Sequence, residues 1–150
     1  MSRSIDSHVH IWDRSRNEIF IAENQHPSLK GKSFLPNDLQ TILKDTLCEQ
    51  AVLVHGPATI EHTKFCIDLC NKHDFIKSVI GWVDLESDHC IEQYKEFNTE
   101  KNFKGIRLTP LLYSNPEAYI TSNNAKALAD EIAKDGKILE ILVTTKLINN

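Results

Sequence analysis

Five short apolar runs, each rich in Val, Ile or Leu, alternate with helical patterns along the chain, and this order constrains the fold more than any other feature. Such alternation favours a parallel sheet, because each helix returns the chain to the start of the next strand in a right-handed crossover. The predicted strands are residues 5–12, 51–55, 78–85, 103–109 and 138–144. The sequence therefore predicts an α/β fold built on a parallel sheet.

The helical patterns carry their own start and stop signals. Thr59 and Ser87 have side chains suited to N-capping two of the helices, and the clearest helix lies between Ser122, a third N-cap, and Gly136, a suitable C-terminal stop. A further helix follows Pro36. Its apolar stripe consists of Leu39, Ile42, Leu43 and Leu47. Residues 13–35 are predicted to form a long loop of the kind that often takes part in binding.

The length and composition fit one globular domain spanning residues 1–150. The chain has 41% hydrophobic and 25% charged residues and a formal net charge of −4. Its Lys and Arg are too dispersed to track phosphates, so neither nucleic acid nor an acidic membrane is an expected partner. The apolar runs fall far short of the roughly 20 residues that cross a bilayer, and the first residues lack the apolar core of a secretion signal, so the expected location is the cytoplasm. The four cysteines are expected to be reduced.

Two histidines two residues apart mark the first predicted strand. Side chains alternate across a strand, so His8 and His10 project from the same face and share it with Asp6. Two imidazoles placed in this way can converge on one metal ion or one substrate group. The same pair is also compatible with a purely structural polar strand, and the spacing by itself does not separate the two interpretations.

The chain resembles the amidohydrolase-related metal-dependent hydrolases, and within them the lactonase branch. The resemblance rests on motifs in the order and approximate spacing found in that family. They are DSHVHIWD at 6–13, FLPNDLQ at 34–40, AVLVHGPAT at 51–59, VIGWVDLES at 79–87 and FKGIRL at 103–108. The resemblance covers nearly the whole chain and implies a (β/α)8, or TIM-barrel, architecture with the active site at the carboxyl ends of the strands.

The resemblance also implies roles for individual residues. His8 and His10 would be catalytic and would bind a divalent metal, zinc or manganese, or would polarise the substrate in members that work without a metal. Arg107, in the FKGIRL motif, would bind a substrate carboxylate. Leu108 departs from the histidine often found next to that arginine, which leaves the substrate open. His55 ends the second predicted strand, so it is expected either at the same rim as a substrate-binding residue or as an anchor for a loop.

The length sets a further expectation. A complete barrel of this type takes about 250 residues, whereas this chain has 150. We therefore expect an incomplete barrel of roughly five βα units, the N-terminal portion of such an enzyme, with a weakly held metal or none. The expected reaction is attack of an activated water on a small lactone or similar cyclic ester or amide, with the missing strands supplied by another chain.

Two alternatives to this hydrolase remain open. One is a non-catalytic partial barrel that binds a small anion or a partner protein. The other is a self-sufficient doubly wound domain of five strands. Unpaired edges on the outer strands of an incomplete barrel also predict self-association into a homo-oligomer.

Overall fold

A computed structural model describes residues 4–16 and 26–145, and the fold is built from five parallel strands. Each strand pairs with the one that follows it in sequence, so the spatial order is the same as the chain order. A doubly wound sheet reverses its order at a switch point, and this sheet does not, which excludes that alternative. The strands are β1 (Ser4–Val9), β2 (Cys48–Val54), β3 (Ile76–Gly81), β4 (Phe103–Leu108) and β5 (Ile138–Ile141).

Five α-helices lie between the strands in the part of the chain that the structure describes. Thr59 and Ser122 cap two of them as expected, each accepting a hydrogen bond from a backbone N–H three residues ahead. Gly136 has a φ of 62°, the left-handed conformation that glycine adopts most easily after a helix. The helices are α1 (Pro36–Lys44), α2 (Ile60–Lys72), α3 (Cys90–Asn98), α4 (Pro116–Thr121) and α5 (Asn123–Lys134).

Three local expectations are wrong. Helix α1 ends at Lys44, so Leu47 does not belong to its apolar stripe and is 89% exposed. The chain turns at Thr46, whose hydroxyl donates to the Leu43 carbonyl and accepts from the backbone N–H of Cys48. Ser87 does not cap α3; its hydroxyl accepts from His89 N in the turn before that helix. Helix α4 was not expected, and it begins where the Asn115 side chain accepts from Ala118 N.

The long loop after β1 is described only in part. Residues 17–25 lie outside the described residues, so the predicted binding role of residues 13–35 is not addressed for them. The indole N–H of Trp12 donates to the Lys32 carbonyl at 2.9 Å, and Trp12 forms an antiparallel bridge with Phe34. The far end of the loop therefore returns to the end of β1.

The apolar core lies between one face of the sheet and the helices. Every second residue of a strand points into it, as Ile106 and Leu108 do on β4, whereas Arg107 between them faces the opposite side. Gly105 lets β5 approach, because a Cβ there would collide with the backbone carbonyl of Ile138. The face opposite the helices is the interior of a curled half-barrel, and its polar side chains form the candidate site.

The two outer strands each have one neighbour in the sheet. Ile5 on β1 and Ile138 and Ile141 on β5 are exposed apolar side chains. The four cysteines are free thiols. Within the described ranges, the helices are too short or too polar to cross a membrane.

Candidate active site at the mouth of the half-barrel

His8 and His10 lie at the carboxyl end of β1, and their rings converge. The two Nε2 atoms are 3.3 Å apart, and the rings meet edge to face. The carboxylate of Asp6 accepts a hydrogen bond from the backbone N–H of His8 and so fixes the strand just before the pair. The structure thus brings the two histidines together as their spacing predicted.

The contacts of His10 determine which of its nitrogens carries the proton. Its Nδ1 lies 3.0 Å from the carbonyl oxygen of Val54, which can only accept a hydrogen bond, so Nδ1 is the protonated nitrogen. Burial lowers the pKa of His10 from 6.5 to about 4, and the ring is therefore neutral at physiological pH. Its Nε2 consequently presents a lone pair toward His8.

The contacts of His8 assign its proton in the same way. Nη1 of Arg107 lies 3.4 Å from His8 Nε2, and a guanidinium can only donate, so His8 Nε2 also carries a lone pair. The protonated Nδ1 of His8 lies 3.8 Å from Oε1 of Glu140. With His8 in this tautomer, the two Nε2 lone pairs point at the same place, where a cation would bind both. In the other tautomer His8 Nε2 would donate to His10 Nε2 over the same 3.3 Å.

The separation of the two nitrogens fits a divalent metal. Two nitrogens bound to one tetrahedral zinc ion at the usual bond length lie about 3.4 Å apart, close to the 3.3 Å between the Nε2 atoms. The Nδ1 atom of His10 faces the Val54 carbonyl and that of His8 faces the Glu140 carboxylate. Histidines that bind a metal through Nε2 usually have such an oxygen beside Nδ1. A metal site usually needs at least three protein ligands. The described residues contain no group of three or more His, Cys, Asp or Glu side chains that could hold a metal. The pair fits as half of a ligand set.

Arg107 and Glu140 form an ion pair beside the histidines. They are directly paired residues on β4 and β5, and Nε of Arg107 lies 3.0 Å from Oε1 of Glu140. The Nε–H is not well aligned with an acceptor, so the contact is electrostatic rather than a good hydrogen bond. Burial lowers the pKa of Arg107 and the Glu140 carboxylate opposes that change. Arg107 is thus held at the mouth, as expected, with one edge already facing a carboxylate.

His55 reaches the same end of the sheet but is buried. Its Nδ1 lies 3.3 Å from the Pro57 carbonyl and its Nε2 lies 3.3 Å from the Arg107 carbonyl. Burial lowers the pKa of His55 to about 3, so the ring is neutral. A neutral ring has one N–H, so it donates to one of these two carbonyls and only contacts the other. These contacts are those of an anchor between the loop after β2 and the end of β4. The substrate-binding role stays a prediction.

The sequence places Glu140 among the barrel-facing side chains of an incomplete barrel, but its pairing with Arg107 was not predicted. A charged residue in the middle of an apolar strand was the available signal, since strands buried on both faces are usually apolar throughout. Trp82 and Thr109 were also missed as polar groups at the mouth. They follow β3 and β4, and within the described residues the indole N–H of Trp82 and the hydroxyl of Thr109 are buried without a hydrogen-bond partner.

The chain is similar in sequence to a known lactonase. No family model matches the chain. The chain is 27% identical over 107 residues to L-fucono-1,5-lactonase of Burkholderia ambifaria, a match that covers 71% of this chain and 37% of that protein. The chain therefore spans well under half the length of this curated relative.

Solved structures show the same fold. An amidohydrolase from Burkholderia multivorans with bound zinc superposes with a TM-score of 0.79 at 18% identity, over 99% of this chain and 51% of that one. A probable 2-pyrone-4,6-dicarboxylic acid hydrolase from Acinetobacter baumannii, with citric acid bound, gives 0.67 at 12% identity over 97% and 51%. The chain is thus a curled half-barrel with the fold of the TIM-barrel amidohydrolases, which confirms the resemblance and the incomplete-barrel fold expected from its motifs.

Proposed function

We propose that this chain forms the N-terminal half of a hydrolase site for a lactone or a similar cyclic ester or amide. The observation that carries the proposal is the convergence of the His8 and His10 lone pairs, 3.3 Å apart, beside the guanidinium of Arg107. The sequence similarity to a lactonase over 71% of the chain supports the choice of substrate class. The zinc in a structure with the same fold supports a divalent ion, zinc or manganese, as the cofactor.

In this site His8 and His10 would hold the ion through their Nε2 atoms. The chemistry that a divalent ion supplies when bound is Lewis-acid activation of water and of the ester carbonyl. The carbonyl of Val54 and the carboxylate of Glu140 keep each histidine in the tautomer that offers Nε2. Two imidazoles fill two positions, and we propose that the remaining positions are filled by strands beyond the five described here.

Arg107 would bind the substrate. Its Nε and Nη1 face Glu140 and His8, and its other N–H groups remain as donors for a substrate oxygen. In the proposed reaction water adds to the carbonyl carbon, negative charge develops on the carbonyl oxygen, and the ring C–O bond breaks to leave a hydroxy acid. A guanidinium beside that oxygen stabilises the developing charge.

A second candidate is a half-barrel that binds a small anion without catalysis. It is favoured by the lack, within the described residues, of a group of three metal ligands. Arg107 would then be the whole of the binding site. We further propose that residues 1–150 act as one unit, and that self-association covers the exposed apolar side chains of β1 and β5.

The test measures zinc binding and lactone hydrolysis in the unmodified chain and in His8→Ala and His10→Ala variants. We expect each substitution to weaken zinc binding by more than about 100-fold, because it removes one of two direct ligands, whereas losing a residue that only orients a ligand costs about 10- to 100-fold. His89→Ala is the matched control, since His89 is exposed and its side chain makes no capping hydrogen bond. Equal zinc binding and equal turnover in all four proteins would refute the proposal. Absence of zinc binding in the unmodified chain would favour the non-catalytic candidate. Absence of turnover alone would not, because the proposal places the remaining metal positions on strands beyond these five.

A further inference from the structure

We propose that Glu140 determines specificity at this site by making it select uncharged lactones over carboxylated ones. The inference rests on the proposed function and deepens it, since it names the charge of the substrate. It also departs from the expectation that Arg107 binds a substrate carboxylate.

The ion pair between Arg107 and Glu140 is set by the backbone. The two residues are direct partners in the parallel pairing of β4 and β5, so their side chains leave the sheet on the same face. The Arg107 side chain is only 10% exposed, which limits its freedom to turn toward another partner. Glu140 therefore behaves as a permanent counter-ion, and the site holds it before any substrate arrives.

The second edge of the guanidinium is also engaged. Nη1 of Arg107 lies 3.4 Å from His8 Nε2, while His8 Nδ1 lies 3.8 Å from the same Oε1 of Glu140 that faces Arg107. The three side chains thus form a closed triangle. The carboxylate of Asp6 adds a further negative charge on β1 through its hydrogen bond to His8 N. In the metal-free chain, one guanidinium and two carboxylates leave no excess positive charge among these groups. A divalent ion at the two histidines would add positive charge and weaken the repulsion of a carboxylate.

This charge balance distinguishes two kinds of substrate. A carboxylate bound to Arg107 would lie within a few ångströms of Glu140, and like charges at that distance repel strongly in a partly buried site. A carbonyl or hydroxyl oxygen accepts from the same guanidinium without that repulsion. Glu140 therefore acts against carboxylated lactones while leaving uncharged ones unaffected, which is specificity by repulsion of the competitor.

The test compares two probes, citrate as the carboxylate and δ-valerolactone as the uncharged lactone, by NMR titration of the Arg107 Nε–H signal. It uses the metal-free chain, because citrate chelates divalent ions and a bound ion would promote hydrolysis of the lactone. We expect the unmodified chain to bind δ-valerolactone at least about tenfold more tightly than citrate, and Glu140→Gln to bind citrate about tenfold more tightly than the unmodified chain does. Glu140→Asp keeps the charge and should still repel citrate. Glu131→Gln, on the helix-covered side, is the control for loss of a surface carboxylate.

Each outcome decides between Glu140 as a selector and Glu140 as a structural residue. Equal citrate affinity in the unmodified chain and Glu140→Gln, or no citrate binding in either, would overturn the proposal. An equal gain of citrate binding in Glu140→Asp and Glu140→Gln would also overturn it, because a change in packing, and not the loss of charge, would then explain the gain. If Glu140→Gln does not fold, the preference of the unmodified chain between the two probes decides. The hydrolase proposal is judged separately, because its test depends on zinc and the two histidines.

Discussion

The two faces of this sheet are built from the same five strands in opposite ways. On the face toward the helices, Leu53, Val79 and Ile106 are fully buried among apolar neighbours. On the interior face, residues in alternate positions carry imidazole, guanidinium and carboxylate groups in mutual contact. The helix-facing side therefore stabilises the fold, and the interior side carries the candidate site. Successive residues of a strand alternate between the two faces.

The largest expected effect comes from the helix-facing side. Phe103 is fully buried and its ring contacts those of Tyr94 and Phe97. Phe103→Ala should lower the free energy of unfolding by about 3 to 5 kcal/mol, because it removes buried apolar area and leaves a cavity. Urea unfolding followed by circular dichroism measures this. Leu112→Ala, at an exposed position, should have little effect; a similar loss at both positions would break the comparison.

The second effect is a dependence of stability on pH. Burial lowers the pKa of His55 in the folded chain to about 3, from a value of 6.5 when unfolded. The unfolded chain therefore binds a proton that the folded chain does not, and stability falls as the pH drops below 6.5. His55 alone should contribute a loss of about 2 to 3 kcal/mol between pH 6.5 and 4.5.

The substitution His55→Gln isolates that contribution. Gln does not titrate and can still donate to a backbone carbonyl, so its unfolding curves should depend less on pH over the same range. Thermal melts of both proteins at several pH values give the measurement. If the two proteins lost stability in parallel, His55 would not be the group that titrates.

A third effect tests the contact that brings the site together. Gly105→Ala would place a methyl group against the backbone carbonyl of Ile138, and we expect a loss of about 1 to 3 kcal/mol with β5 displaced from β4. Hydrogen exchange at the amides of β5 should accelerate more than at those of β2. Unchanged protection of β5 would show that the strand accommodates the methyl group.

The smallest expected effect comes from the interior face. Replacing Arg107 and Glu140 together by Met and Leu should change the free energy of unfolding by no more than about 1 kcal/mol, because the lost ion pair is offset by relief of its desolvation. The double variant should also lack the citrate binding expected of Glu140→Gln, because it has lost the guanidinium. A large loss of stability would show that the interior face supports the fold as well as the chemistry.

Much of the fold could be predicted because it depends on patterns of residues that are close together in sequence. The order of strands and helices, the caps at Thr59 and Ser122 and the glycine stop at Gly136 depend on residues close in sequence. The end of α1 could not be predicted in that way. Leu47 continues the apolar spacing of α1, but the helix has already ended at the turn that Thr46 forms before β2, and Leu47 is exposed.

The site was predictable only where its residues are neighbours in sequence. His8 and His10 are two residues apart, and the strand period brings them together without further information. Glu140 meets Arg107 through the register of two strands that are separated in sequence by two helices, and no local pattern encodes that register. The burial of His55 likewise depends on the Arg107 carbonyl, 52 residues away.

The pairing of Arg107 with Glu140 has a consequence for how the last strand is placed. β5 has four residues, and a slip of one residue against β4 would present an apolar side chain to the guanidinium and turn the carboxylate toward the helices. Both charges would then be buried without a partner, which is strongly unfavourable in free energy. The remaining contacts of a four-residue strand are too few to offset that loss. The ion pair therefore favours the native register, and the pairing of β5 with β4 brings the Glu140 carboxylate into the site in the same step.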